Sequence, residues 1–225
     1  MSVVFNGNPV IQNRGIVTSG LILWLDAANS FSYPGTGNVW YDLSGKGNHF
    51  IGGAALTWNK DTGFSAFTQT NRWYNSSTSW PSNLKTSQGG NGYTTLVWAK
   101  CTGVAGWQKF IGNGDEQGYI DVYAYASSAI YHQEDGSTLF YNNNISVNND
   151  TLYMADSVWR MYGSTNLDGG AKTNPTDNFG IGGEGDAAYS YPFLGNIAVV
   201  MLYDRVLTST EITQNFNAQR SRFGI

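Results

Sequence analysis

Two uninterrupted runs of apolar residues, one near each end of the chain, most constrain the fold of this sequence. The first covers residues 21–25 (LILWL), with Gly20 before it and Asp26 after it, and the second covers residues 197–203 (IAVVMLY). A continuous apolar run bounded by turn-forming residues is typical of a strand that is buried on both faces or lies in the core of a sandwich. The two ends of the chain therefore predict strands of an all-β core.

Shorter patterns predict further strands and one helix between and after these runs. Residues 64–68 alternate apolar and polar side chains with the period of two that marks a half-buried strand. Thr208 and Glu211 have the spacing of a capping box, so we expect a helix over residues 207–222. The remaining predicted strands are 16–18, 50–51, 56–58, 94–99, 109–112, 118–125 with 130–133 as a hairpin, 158–163 and 178–183.

The composition indicates a single domain with a neutral, polar surface. A β-sandwich commonly runs to about 200–250 residues in one domain, and this chain has 225. Charged residues are 12% of the chain, against roughly 25% in an average soluble protein. Such a surface suits neutral sugars or protein neighbours, or a rigid domain with no ligand. A net charge of −4 argues against nucleic-acid binding, which needs a basic stripe.

Cysteine usage and the chain start predict folding in a cytoplasm. Cys101 is the only cysteine, so no intrachain disulfide supports the fold. The first residues, MSVVFNGNPVIQNRG, have neither the basic nor the apolar region of a signal peptide. No apolar segment approaches the roughly 20 residues that a membrane-spanning helix needs. We expect no membrane insertion.

Two segments at the ends of the chain resemble a known family. The first reads Gly-Leu-x-Leu-x-Leu-Asp-Ala-x-Asn from Gly20 and continues to Trp-Tyr-Asp-Leu-Ser-Gly-x-Gly-Asn, which ends at Asn48. The second begins at Asn196, continues through Tyr-Asp-Arg-x-Leu-Thr from Tyr203, and closes with Arg-x-Arg-Phe-Gly, which ends at Gly224. Both are similar to laminin-G-like (concanavalin A-like) jelly-roll domains, and most to those of tailed-bacteriophage virion proteins. The match covers residues 20–225 and leaves 1–19 as an N-terminal lead or arm.

This resemblance implies an antiparallel two-sheet jelly-roll sandwich. Its first and last strands are neighbours, so residues 21–25 should pair with residues 197–203, and the C-terminal helix should cover a sheet edge. Residues 94–100 resemble the central strand of the family, whereas residues 135–170 depart from its pattern and leave the strand register there open.

The implied role is a non-enzymatic module on the virion surface, as capsid decoration or beside a tail or fibre. Assembly would take place in the cytoplasm of the host bacterium. Partners would be other virion proteins, further copies of the chain and, weakly, glycans of the host surface. The alternatives are a dedicated carbohydrate-binding tail-fibre or spike protein and, with less support, a glucan-active hydrolase.

No catalytic arrangement is complete in the sequence. Retaining glucanases of this fold use the spacing E-x-D-x-x-E, which brings two carboxylates to about 5 Å. The acidic clusters at 115–121, 134–135 and 184–186 do not complete that spacing. Cys101 would need a histidine partner, and only His49 and His132 are available. We predict that the protein is not an enzyme.

Calcium is the one cofactor for which the sequence offers candidates. Laminin-G-like domains often hold Ca²⁺ on loops, and Asp115, Glu116 and Asp121 are the densest local acids, although they match no loop signature. Asp26 and Asp42 belong to the family-like opening. Both are also of a type that caps turns or accepts hydrogen bonds from backbone N–H groups.

The remaining functional signal is aromatic. Sugars bind proteins by laying apolar faces on aromatic rings while polar side chains bond the hydroxyls. Several rings fall outside clear strand patterns, some of them in the long polar stretch at residues 71–92, and could equally pack loops onto the sandwich or contact a neighbouring subunit. The glycan-binding candidates are Trp73, Tyr74, Trp80, Trp107, Tyr189 and Tyr191.

Overall fold

The computed structural model describes residues 15–52, 55–68, 70–75, 92–103, 107–112, 155–166, 179–183 and 191–225. It also describes the backbone of six short strand segments elsewhere. The strands, numbered in chain order, are β1 (Val4–Phe5), β2 (Asn8–Pro9), β3 (Leu21–Asp26), β4 (Val39–Trp40), β5 (Phe50–Gly52), β6 (Thr57–Asn59), β7 (Gly63–Ser65), β8 (Trp73–Asn75), β9 (Tyr93–Cys101), β10 (Gln108–Gly112), β11 (Val122–Tyr125), β12 (Ala129–Tyr131), β13 (Ser137–Tyr141), β14 (Ile145–Ser146), β15 (Trp159–Asn166), β16 (Gly180–Ile181) and β17 (Gly195–Tyr203).

Two large antiparallel sheets make up the sandwich. The smaller has seven strands in the order β12-β11-β10-β16-β8-β5-β4. The larger has eight, in the order β14-β13-β15-β9-β17-β7-β6, with β3 also pairing with β17. A separate two-stranded sheet joins β1 and β2. The predicted all-β, two-sheet jelly-roll sandwich is confirmed.

The first and last long strands lie side by side, as the two apolar runs predict. In the β17–β3 pair, Leu202 lies opposite Leu23 and Val200 lies opposite Leu25. On its other side β17 pairs with β9, where Met201 lies opposite Leu96. This places β17 between β9 and β3 in the larger sheet.

Both faces of these strands are buried, which explains why their sequences do not alternate. One face of the larger sheet packs against the smaller sheet, and their side chains form one core cluster. Leu25, Val97 and Val200 come from the larger sheet, and Phe50 and Ile181 from the smaller. The opposite face of the larger sheet is covered by the C-terminal segment, which forms a second cluster with it.

The C-terminal helix, α1 (Ser209–Gln219), begins with the predicted capping box. Thr208 accepts a hydrogen bond from the backbone N–H of Glu211, and the Glu211 carboxylate accepts one from the backbone N–H of Thr208. A 3-10 turn (Arg220–Phe223) follows and ends at Gly224, whose φ of 74° is left-handed.

The position of this helix differs from the prediction. It covers the outer face of the larger sheet, where Trp98 stacks against Phe216 at 5.6 Å and Phe223 at 4.3 Å between ring centroids. The predicted cover of a sheet edge is wrong, because Trp98 of β9, Trp24 of β3 and other large apolar side chains lie on this outer face. Leaving that face in water would cost far more than leaving a short edge strand exposed.

Two local predictions also change. Residues 16–18 are not a strand: Val17 is held by Asn215 and Tyr203, through bonds of 2.8 and 3.0 Å to its N–H and C=O. The half-buried strand predicted at 64–68 is β7 and stops at Ser65, because Ala66 has a φ of 64°. The polar stretch 71–92 contains strand β8. The hairpin predicted from residues 118–125 and 130–133 is confirmed for its described residues, where β11 pairs with β12.

The region 135–170, where the family pattern is lost, contributes three strands, β13, β14 and β15, to the larger sheet. β15 pairs with β9 along its whole length, with Met161 opposite Trp98, and β13 pairs with β15 on the other side. Within the part of the chain that the structure describes, no helix is long and apolar enough to cross a membrane.

Candidate functional site

Two of the predicted glycan-binding residues meet at one rim of the sandwich. Trp107 immediately precedes β10, and Tyr191 begins the segment that leads into β17. The backbone N–H of Lys109 in β10 donates a 3.0 Å hydrogen bond to the carbonyl of Tyr191, which fixes the two segments side by side. The chain regions that carry Trp107 and Tyr191 are therefore neighbours in space although they are far apart in sequence.

The Trp107 and Tyr191 rings form a tilted pair that is open to solvent. Their centroids are 6.3 Å apart and their planes are inclined by 53°. Trp107 is 43% exposed, and Tyr191 is half-buried. Because the rings are not coplanar, they can contact two sides of one sugar or two successive sugars of a bent chain. They do not form the flat platform that a planar polymer surface would need.

Tyr191 is held in an unusual conformation. Its φ is 30°, a left-handed value that costs on the order of 1–3 kcal/mol for a residue with a side chain. The ammonium group of Lys109 lies 6.0 Å from the centroid of its ring, a cation–π contact that helps to fix the ring. Strained residues of this kind often occur at binding sites, since the surrounding structure must enforce them.

The approach of the last strand to this rim requires a glycine. Gly195 lies opposite Cys101 at the end of β9, and its φ is 155°. A Cβ atom at this position would lie 2.1 Å from the carbonyl oxygen of Lys100, which no side chain can tolerate. The close contact between β9 and β17 brings Leu194 next to Thr102, the residue that follows β9.

Trp73 and Tyr74 are adjacent in sequence but have opposite environments. Trp73 is 2% exposed and contacts Tyr33, Trp40 and Phe64 in the core, so its ring is not available to a ligand at the surface. The proposed glycan contact of Trp73 is corrected accordingly. Tyr74 is 37% exposed on the outer face of the smaller sheet, on a strand two places from β10.

The other candidates lie outside the described residues. These are Trp80 and Tyr189 among the rings and Asp115, Glu116 and Asp121 among the calcium candidates. Among the residues whose placement the structure gives, no three His, Cys, Asp or Glu side chains come close enough together to hold a metal ion.

The two acids of the family-like opening stabilise the fold. The Asp42 carboxylate is buried and accepts hydrogen bonds from the backbone N–H groups of Trp24, Ser44 and Asn48 and from the Ser44 hydroxyl, all between 2.7 and 3.0 Å. Asp26 accepts a 2.9 Å bond from the N–H of Ala28 and forms a 2.5 Å ion pair with Arg222. Both residues therefore hold loops and the C-terminal segment in place.

Cys101 and His49, the thiol and the histidine that the structure describes, are not arranged for catalysis. Burial raises the pKa of the Cys101 thiol, which is the opposite of the shift that activates a nucleophilic cysteine. His49 accepts a 3.0 Å hydrogen bond at Nδ1 from the backbone N–H of Asp42 and packs against Tyr41. These contacts anchor the histidine within the loop that follows β4.

Sequence reasoning missed residues that complete the rim. Leu194 is 37% exposed and accepts a 2.9 Å hydrogen bond from the N–H of Thr102. Gln108 and Lys109, the first two residues of β10, have little exposure. The polar residues Gln108 and Lys109 directly after Trp107 were a usable signal, because polar side chains buried in a strand usually hold a neighbouring segment.

Comparison with known proteins gives structural similarity without sequence relatives. No family model and no curated protein sequence matches the chain. A sialidase of Trypanosoma rangeli in complex with 2,3-difluorosialic acid is similar in structure, with a TM-score of 0.59 and 15% identity over 98% of this chain. The binding domain of Paraclostridial Mosquitocidal Protein 1 has a TM-score of 0.57 and 12% identity over 89% of this chain.

A third structure, described as HCR/D-Sa-GBL1/C, has a TM-score of 0.52 and 10% identity over 88% of this chain. This chain spans 36% of the sialidase and 52% of each of the other two. At such low identity the similarity shows the fold alone. The chain thus has the jelly-roll β-sandwich architecture that these proteins contain as one part of a longer chain.

Proposed function

We propose that the chain is a non-enzymatic β-sandwich module that contacts glycans through the rim formed by Trp107 and Tyr191. The observation that carries the proposal is the exposed Trp107 ring, tilted against Tyr191 and fixed by the backbone of β10. An exposed tryptophan beside a second ring offers the apolar faces on which sugars stack. The low share of charged residues favours neutral sugars over anionic ones.

The structural neighbours are compatible with this role. One is a sialidase bound to a sialic-acid derivative, and another is a binding domain of a mosquitocidal protein. The activity of neither protein can be assigned to this chain, because this chain matches only part of each longer protein and the sequence identity is low. Binding is favoured over hydrolysis because Cys101 is buried with a raised pKa and Asp26 and Asp42 are used by the fold.

We place this module on the surface of a tailed-phage particle, next to other virion proteins and further copies of itself. The support is the resemblance of residues 20–48 and 196–224 to domains of phage virion proteins. Mass spectrometry of purified particles tests this: stoichiometric amounts of the chain are expected, and its absence or presence in trace amounts would refute the location.

A glycan array tests the binding function. The wild type, displayed in multivalent form, is expected to bind at least one neutral glycan, and Trp107→Ala should weaken that binding by about tenfold, equivalent to about 1.4 kcal/mol. Phe31→Ala is the matched control, because Phe31 is 50% exposed on a different loop. No binding by the multivalent wild type, or equal losses in both variants, would refute the rim as a glycan site.

The rival functions give different results in two further assays. A dedicated receptor-binding fibre protein would bind one glycan strongly and block adsorption of the phage to its host. A glucan-active hydrolase would release reducing sugar from laminarin-type glucans. Turnover of such a glucan by the pure protein would overturn the non-enzymatic assignment.

A further inference from the structure

The side chain of Gln108 joins the separate backbone segments that form the rim. It is 1% exposed, and both ends of its amide are bonded. Its Nε2 donates a 3.0 Å hydrogen bond to the carbonyl of Gly103, two residues after the end of β9. Its Oε1 accepts a 3.0 Å hydrogen bond from the backbone N–H of Leu194, in the segment before β17.

The orientation of this amide is fixed by its partners. A backbone carbonyl only accepts and a backbone N–H only donates, so the Gln108 amide satisfies both partners in one orientation alone. Neither bond can be replaced by water without opening the segment, because Gln108 is almost completely buried. The bonds therefore define a distance between the two segments as well as stabilising them.

Two other bonds complete the connection between the segments. The N–H and the hydroxyl of Thr102 both donate to the carbonyl of Leu194, at 2.9 and 3.4 Å. Gln108 differs from these partners because it directly follows Trp107 in the chain. Any shift of Gln108 therefore moves the tryptophan relative to the segment that carries Tyr191.

We propose that Gln108 is a positioning residue that sets the spacing and tilt of the Trp107–Tyr191 pair and so preorganises the rim for a sugar. This inference rests on the proposed glycan-binding function. Preorganised side chains bind more tightly, because the cost of ordering them is met during folding. Gln108 acts through Trp107 and Leu194 and does not itself touch the ligand.

The test compares two isosteric substitutions of buried glutamines. Gln108→Met removes both rim bonds, and Gln219→Met makes the same chemical change beneath the C-terminal helix, where the Gln219 amide contacts Met201 at 3.7 Å. The probes are polyacrylamide conjugates that carry galactosyl, glucosyl, N-acetylglucosaminyl or sialyl groups, and the strongest binder of the wild type is measured by surface plasmon resonance. We expect Gln108→Met to lose about fivefold to tenfold in affinity and Gln219→Met to lose less than about twofold.

A second readout does not require a ligand. The indole N–H resonance of Trp107, assigned by its absence in Trp107→Phe, should shift or broaden in Gln108→Met and stay unchanged in Gln219→Met. If Gln108→Met does not fold, Gln108→Asn replaces it, because its amide stays neutral and polar but is too short to reach both Leu194 and Gly103. Gln108→Asn should then give the same change in the indole signal.

The outcomes separate this inference from the function on which it rests. No binding by the wild type refutes the glycan function, and the indole signal then still decides whether Gln108 positions Trp107. Binding that Trp107→Ala abolishes but the Gln108 variant leaves unchanged refutes the positioning role alone. An unchanged indole signal in the Gln108 variant refutes it as well.

Discussion

The two closing segments of the sandwich, residues 20–48 and 196–225, use their side chains differently from the rim that carries Trp107. In the closing segments, Asp42 accepts four hydrogen bonds, Asp26 pairs with Arg222, and Arg205 pairs with Glu211 at 2.6 Å. At the rim, the Gln108 amide bonds the backbone of two segments, while the Trp107 ring is left 43% exposed.

This difference separates the residues that make the sequence recognisable from those that can bind. The residues that carry the family resemblance are largely committed to contacts within the fold. The residues that offer a surface lie between those segments, where the sequence matches the family loosely. The resemblance at the ends of the chain therefore supports the fold strongly. It does not extend to the residues that offer a binding surface.

The largest expected effect concerns the contact between β9 and the C-terminal closing segment. Trp98→Ala should destabilise the protein by about 3–5 kcal/mol, because it empties a fully buried site between the sheet and Phe216 and Phe223. Guanidinium unfolding followed by circular dichroism measures the loss. Trp98→Phe keeps one stacked ring and should lose clearly less.

A loss below about 1 kcal/mol in Trp98→Ala would contradict the view that the C-terminal segment seals the outer face of the larger sheet. The C-terminal closing segment would then contribute no more to stability than an exposed surface does, and it would not differ from the rim in this respect.

The second effect concerns Asp42. Asp42→Ala leaves the N–H groups of Trp24, Ser44 and Asn48 without their acceptor and should cost about 2–3 kcal/mol in the free energy of unfolding. Asp61→Ala makes the same change of charge in an exposed turn and should cost less than about 0.5 kcal/mol. Equal losses in the two variants would show that charge, rather than the hydrogen bonds, explains the effect.

The third effect is smaller and depends on pH. Hydrogen bonds from Arg205, followed by that from the Thr208 N–H, lower the pKa of Glu211 to about 2. The pKa in the unfolded chain is about 4.3, so the stabilisation is complete above that pH and is lost as the pH falls towards 2. Glu211→Gln should cost about 1 kcal/mol at pH 7, since the pair is partly exposed and screened by solvent.

Urea unfolding at several pH values measures this difference. The gap between the wild type and Glu211→Gln should be constant from pH 7 to about 5 and should shrink steadily below pH 4. A gap that stays constant down to pH 2.5 would mean that the ion pair does not stabilise the folded state.

The sequence predicted the closing segments better than the rim, for a physical reason. The pairing of β3 with β17 follows from two apolar runs that only a doubly covered strand can bury. The start of α1 follows from a capping box, which is a local signal. The sheet face that this helix covers was not predictable. It depends on which face of the larger sheet carries Trp98, and this in turn depends on the register of three strands.

The same limit explains the outcome for Trp73 and Tyr74. Neighbouring residues of a strand point to opposite faces of the sheet, so one of two adjacent rings must be buried. The sequence predicted both rings as candidates because β8 lies within a polar stretch that gives no alternation. Trp107 and Tyr191 could be proposed one by one, but their contact depends on the pairing of β10 with the segment before β17 and became visible only in the structure.

The smallest expected effect tests whether the Tyr191 ring contributes to the stability of the fold. Tyr191→Gly removes the ring and also relieves the positive φ of 30°. These changes oppose each other, so we expect stability to change by less than about 1 kcal/mol while glycan binding falls. Ala66→Gly is the matched control, because Ala66 is exposed, has a φ of 64° and carries no ring.

Urea unfolding of the two variants separates the backbone contribution from that of the ring. Ala66→Gly should gain up to about 1 kcal/mol from the release of the left-handed conformation, and the shortfall of Tyr191→Gly relative to it measures what the ring adds to stability. A shortfall of several kcal/mol would mean that Tyr191 is part of the core. The rim would then be built in the same way as the closing segments, and the case for a binding surface there would fail.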